Sequence, residues 1–368
     1  MNPLYAYHTN AIESKSQDIV LWKKFYLTII TANSSYIDRT GTIKLPIHVD
    51  MPEFLKLPAF DSKFSLSYED CCQRRVDEIL SLQERIDKPI RIMYSGGIDS
   101  SLVLISFIQR LGLENCSKRL QIVMSNLSKE ENPTLWEKFI RRSNIPLINA
   151  FEQEIFQVTQ DSILVTGELN DQLFHPATQT QSLLHWTNMT ELLKPWSVEK
   201  LVDYFVWAQL TQSESEAFAG LLDNLARSAK FEIYSLWDLF WYLNFTGKWT
   251  SCYFQNLLVL SNSVNRIALE QGYLQHFFAT NEFQQWTMVN KEHKHKGTFD
   301  STKWYPRQLV ANFLGDNSYL AKSKYGSLYH LIRGKQVHSG LDSNYCFVNP
   351  NDNVYYNSTN SFWLQSQN

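Results

Sequence analysis

Residues 91–112 read RIMYSGGIDSSLVLISFIQRLG. An apolar strand runs into Ser95-Gly96-Gly97-Ile98-Asp99-Ser100, and an apolar helix follows. The two glycines let backbone N–H groups turn toward a bound anion with no Cβ in the way. The helix that starts near Ser100 points its positive end at the same spot. Ser95, Ser100 and Ser101 add hydroxyl donors. Such a turn suits a pyrophosphate. Asp99 is the odd member, because a carboxylate beside phosphates repels them. Its natural role is to hold Mg²⁺, which bridges carboxylate and phosphate oxygens. The plainer reading is a strand-to-helix turn with Asp99 or Ser100 as N-cap. The spacing matches neither the P-loop nor the dinucleotide fingerprint.

Working outward, strands are expected at 90–94, 120–125, 146–150 and 162–166. Helices are expected between them at 100–111 and 133–143. This alternation predicts an α/β fold with a doubly wound, mostly parallel sheet. Upstream, a charge-rich helix is expected at 68–86. Downstream, residues 177–335 carry apolar residues at helical spacing over 198–210, 214–229, 236–245 and 254–271, so the C-terminal region is read as largely helical. Residues 336–368 are rich in Asn and Ser, with NPNDN (349–353) as a turn, and a hairpin or loosely ordered tail is expected.

A second acidic motif, VTGELNDQLF at 165–174, sits at the end of another apolar strand. Ligands of parallel sheets collect at the C-terminal strand ends, so both motifs should open onto one crevice. Met124, near the end of the strand at 120–125, is included among the nucleotide contacts, with Thr166 and Gly167. Asp99 and Asp171 could share the Mg²⁺, and Glu168 could serve as a base. The alternative is a solvated acidic turn.

SGGIDS resembles the SGGxDS signature of the PP-loop ATP pyrophosphatases. That resemblance implies an adenine nucleotide alpha hydrolase-like fold, cleavage of ATP between its α and β phosphates, and adenylation of a substrate. Residues 166–174 resemble the [ST]-G-E-G-x-D-E-x-F segment of asparagine synthetase and β-lactam synthetase. Thr166, Gly167, Glu168, Asp171 and Phe174 match. Leu169 stands where the second glycine is expected and Gln172 where a Glu is expected, and Leu169 is expected to narrow the loop or alter substrate access. Lys303-Trp-Tyr-Pro-Arg307 and Ala321-Lys322-Ser-Lys324 resemble the family's K-x-x-x-R helix and its following basic segment. By that match Lys303 lies over the reacting phosphate, and Lys322 or Lys324 binds pyrophosphate. Pro306 suits a first helical turn, so the helix is expected to start near Tyr305 with Lys303 on the loop before it. As plain residues, these lysines could equally be surface charges.

The resemblance divides the chain into an N-terminal region (1–88), a synthase-like domain (89–335) and a tail (336–368). Glutamine-dependent relatives begin with a catalytic Cys after Met, but position 2 is Asn2. Residues 1–88 are too short for a whole glutaminase, so they read as a remnant or a replacement. The nitrogen is then expected from free ammonia, an amine substrate or a separate ammonia donor. The expected activity is an ATP- and Mg²⁺-dependent ligase joining a carboxylate to an amine.

Bulk properties set bounds on the alternatives. The 368 residues carry a net charge of −3 and are 44% hydrophobic. That composition fits a globular chain and disfavours one dominated by nucleic acid. A basic groove of Lys291, Lys294, Lys296, Lys303, Lys322, Lys324, Arg333 and Lys335 keeps a nucleobase-modifying enzyme open as the second reading. A non-catalytic nucleotide-binding relative is the third. Five cysteines without a Cys-x-x-Cys pair, no secretory leader and no long apolar segment lead to a cytoplasmic expectation with no membrane span. The KEHKHK run at 291–296 is expected to be a solvated loop.

Overall fold

The computed structural model describes residues 37–43, 53–150, 162–176, 180–254, 271–298 and 301–321, the backbone of 345–349 and 354–357, and a few residues between 20 and 28. Five strands form one all-parallel sheet: β1 (Ile90–Met93), β2 (Leu120–Met124), β3 (Leu147–Asn149), β4 (Ile163–Thr166) and β5 (Leu274–His276). Their order is β3-β2-β1-β4-β5. The chain moves outward from β1 to β3, then crosses to the far side of β1 to lay down β4. Ile92 is therefore flanked by Ile122 on β2 and Val165 on β4. Loops leaving β1 and β4 diverge, which opens a crevice at their C-terminal ends.

The strands form where apolar β-branched residues run together. β4, Ile-Leu-Val-Thr, is buried along its whole length, as a central parallel strand requires. The helices carry their own start signals. In α1 (Tyr68–Ile86), Ser67 and Asp70 form a reciprocal capping box. In α2 (Ile98–Arg119), the expected end near Leu111 is a break at Gly112 (φ 71°), after which the helix resumes. The expected helix at 133–143 is shorter, Pro133–Lys138, and is followed by a 3₁₀ turn.

Beyond the second motif lie α3 (Asn170–Phe174), α4 (Val198–Trp207), α5 (Gln212–Ser228), α6 (Leu236–Leu243), α7 (Asn281–Val289) and α8 (Trp304–Leu314). α6 runs on into a π turn, Asn244–Lys248. The helix expected over 254–271 lies almost entirely outside the described residues. In the tail, β6 (Tyr345–Asn349) pairs antiparallel with β7 (Val354–Asn357).

One core joins these parts. Tyr68 of α1 is fully buried among Phe174, Phe278, Phe283 and Trp286. Arg39 is also buried. Its guanidinium donates to the Leu55 and Phe245 carbonyls and to Gln284 Oε1, and it covers the Trp249 ring. Burial lowers its pKa to about 9, against the pull of Tyr242 and Asp38. So described parts of the 1–88 region are built into the same core as the helices after 170. Cys71, Cys72, Cys116 and Cys252 are buried free thiols. Among the described residues no helix is long and apolar enough to cross a membrane.

Candidate functional site

β1 ends at Met93, and the next four residues turn the chain into α2. The N-cap is Gly97, with no side chain to cap the first-turn N–H groups. Asp99 thus lies inside the first turn, which excludes the plain N-cap reading of Asp99 and Ser100. The serines hold the turn instead. Ser95 N–H donates to Ser100 Oγ at 3.1 Å, Gly97 N–H donates to Ser95 Oγ at 3.3 Å, and Ser101 Oγ donates to the Gly96 carbonyl at 3.1 Å. Gly96 has φ 84°, and a Cβ there would meet the Ser128 carbonyl oxygen at 2.5 Å. The short helix Asn126–Glu131 therefore packs directly on the turn. Met124 is buried at the end of β2, its carbonyl accepting the Ala150 N–H at 2.9 Å.

The second motif closes against the first. A Cβ on Gly167 would lie 3.0 Å from the backbone of both Asp99 and Ser100. Only a glycine allows that approach without displacement. It brings Asp99 and Asp171, 72 positions apart in sequence numbering, to one cation. The Lys303 ammonium donates to both Asp99 carboxylate oxygens at 2.8 Å and to Asp171 Oδ1. Lys303 is buried, Asp99 is about a fifth exposed, and Asp171 is more than half exposed at 56%. Burial lowers the Lys303 pKa, but Asp171 and Asp99 together outweigh it and the net shift is upward. The amine stays protonated. As expected from Pro306, α8 begins at Trp304 and Lys303 is its N-cap, held at φ 59°. Arg307 returns an N–H to the Lys303 carbonyl, and its side chain reaches the Leu320 carbonyl at 3.2 Å.

Two residues that sequence reasoning missed brace Asp99. Asn170 donates to Asp99 Oδ1 at 2.6 Å, and Tyr68 donates to Asn170 Oδ1 at 2.6 Å. A third, His276 on β5, fixes the loop that carries Glu168. Its Nε2–H donates to the Tyr253 carbonyl, so Nδ1 accepts from the Thr166 hydroxyl at 2.7 Å. Thr166 Oγ1 in turn accepts the Glu168 N–H at 3.3 Å. Burial holds the imidazole pKa down at about 4, so His276 is neutral, as this pattern requires. Asn170 lies inside the quoted motif, directly before Asp171, and that adjacency was a usable signal. Tyr68 and His276 gave none.

Leu169, in the position where a second glycine was expected, has φ 76° and is 1% exposed. Its side chain belongs to the core, so the expected narrowing of access is not what it does. A left-handed leucine is strained, and the strain is offset by burial. Leu169→Gly and Leu169→Ala should each lose about 2–4 kcal/mol. The glycine variant should be the more stable by about 1 kcal/mol, reversing the usual order. Urea unfolding of both proteins checks this, and an alanine variant at or above glycine contradicts the strained backbone.

The KEHKHK run departs from the expected solvated loop at Lys294, while Glu292 and Lys296 are exposed. Lys294 is 1% exposed, and its amine lies 3.2 Å from the centre of the Trp241 ring. With Lys294 and Lys303 both buried, two cations of the expected basic groove are withdrawn from any surface. Lys322, Lys324, Arg333 and Lys335 lie outside the described residues.

Asp99 and Asp171 reach a common point, which two carboxylate donors to one divalent ion would require, so these donors suit such an ion. The same point is where Lys303 sits. Among the described residues, no group of three or more His, Cys, Asp and Glu side chains is arranged to hold a metal. No protein family, curated protein or solved structure matches this chain.

Proposed function

We propose that this chain is an ATP-dependent adenylating ligase of the asparagine-synthase-like type, built on a doubly wound adenine nucleotide alpha hydrolase-like fold. The observation that carries the reading is the meeting of Asp99, Asp171 and Lys303 beside the uncapped start of α2, at the β1–β4 crevice. Uncapped N–H groups at Ile98 to Ser100 suit the polyphosphate. Asp99 and Asp171 would hold Mg²⁺, which would offset the charge of the polyphosphate.

A substrate carboxylate (or amide oxygen) attacks the α-phosphorus, the bond to the β-phosphate breaks, and pyrophosphate leaves. Lys303 stabilises charge on the phosphoryl group as that bond breaks. An amine or ammonia then attacks the acyl carbon, AMP leaves, and the surplus proton passes to Glu168. Thr166 and His276 set the loop from which Glu168 projects. Lys322 and Lys324 are proposed for the leaving pyrophosphate.

Incubation with ATP, Mg²⁺ and candidate carboxylates should give pyrophosphate–ATP exchange and an AMP-linked product by mass spectrometry. Asp99→Asn should lower both by about a hundredfold or more. Exchange that survives in Asp99→Asn, or ATP binding with no AMP formed from any carboxylate, counts against the ligase.

A further inference from the structure

The Lys303 side chain is 5% exposed, so water does little to solvate its ammonium, and the two aspartates do that work. The same oxygens are the ones a divalent ion needs. Two cations at that spacing repel each other, so ammonium and ion exclude one another from the carboxylates. Lys303 is also fixed at its base. Its N–H donates to the Lys294 carbonyl at 3.1 Å, and its carbonyl caps α8 through Arg307 at 3.2 Å. Only the side chain is free to leave. What draws it away must be an anion that arrives with the metal.

We infer that Lys303 is the resting counter-ion of the Asp99–Asp171 pair, and that it admits a divalent ion only together with a polyphosphate, which takes the ammonium off the carboxylates. The polyphosphate part rests on the ATP reading above. The competition itself rests on the ion triplet alone. Metal and nucleotide then bind synergistically, and the free protein has little affinity for the ion.

The test uses the full chain and Mn²⁺, with electron paramagnetic resonance reading bound ion. Without nucleotide, wild type should bind Mn²⁺ weakly. Lys303→Met should bind one ion about tenfold tighter or better. The gain should vanish in the Lys303→Met/Asp99→Asn double variant. Lys303→Gln, which keeps a polar end, repeats the test if the methionine variant fails to fold by circular dichroism. In wild type, α,β-methylene-ATP should restore tight Mn²⁺ binding. Equal Mn²⁺ affinity in wild type and both lysine variants overturns the competition, even if α,β-methylene-ATP binds. A gain in the lysine variants with no binding of α,β-methylene-ATP to any variant leaves the competition standing and overturns the polyphosphate role and the ATP reading.

Discussion

Gly96→Ala is expected to lose about 2–4 kcal/mol of stability, a large part of what holds a domain folded. Two effects add. A residue with a Cβ at φ 84° pays about 1 kcal/mol for the left-handed backbone. The new Cβ also falls 2.5 Å from the Ser128 carbonyl oxygen and 2.6 Å from Glu131 Cβ. That carbonyl cannot retreat cheaply. Ser128 Oγ donates to the Tyr94 carbonyl at 2.9 Å, and the Ser128 carbonyl accepts the Asn132 N–H. Overpacking of such a site costs about 1–3 kcal/mol. Gly315 is the matched control: its φ is 60° and nothing lies within 4 Å of a Cβ there. Gly315→Ala should lose only about 1 kcal/mol. Equilibrium unfolding in urea separates the two. If both variants lose the same amount, the helix Asn126–Glu131 does not press on the turn. Because that turn starts α2, Gly96→Ala should also displace Asp99 and weaken whatever the site binds.

Much of this arrangement was legible in the sequence, and for definite reasons. β1, β2, β3 and β4 announce themselves as short apolar runs, and 68–86 carries its capping box openly. SGGIDS and TGELND each end a strand, so strand-end geometry alone brings them to one crevice. What sequence could not give were contacts made from far away. β5 is only Leu274-Gln275-His276, with two polar residues in three, and no periodicity marks it. It is a strand because His276 finds Thr166 and Tyr253 as partners. Lys294 sits in a charged run that reads as solvated, yet an aromatic shelf from α6 covers it. The position of Lys303 on a loop was legible from Pro306. That its ammonium would occupy the point predicted for a metal was not, because spacing does not show which cation a carboxylate pair holds.

Lys294 should make stability rise with pH between about 7 and 10.5, the span between its folded and its ordinary pKa. Its amine has no hydrogen-bond acceptor among the described residues and lies against the Trp241 ring. Burial is the main cause of the drop to about 7; Asp238 and Glu292 pull it upward and Lys291 pushes it down. The sign follows from proton counting. Between the two values the unfolded chain holds the proton and the folded chain does not, so raising the pH favours folding. Below about 7 both states are charged and the burial penalty is fully present. A fall of 3.5 from the ordinary value is worth roughly 5 kcal/mol over the whole window, of which roughly 3 falls between pH 7 and pH 10. Buried thiols work in the opposite direction. Burial raises the Cys71, Cys116 and Cys252 pKa values to about 12, so their contribution is lost as pH climbs past 9. The clean measurement is the difference between wild type and Lys294→Met at each pH, where the thiol contributions cancel. Methionine fills the same space and carries no charge. The variant should be the more stable at pH 7, and its advantage should shrink by roughly 3 kcal/mol by pH 10. A difference that stays flat with pH would mean that the Lys294 amine is solvated, and that the loop delivering Lys303 is not anchored on Trp241.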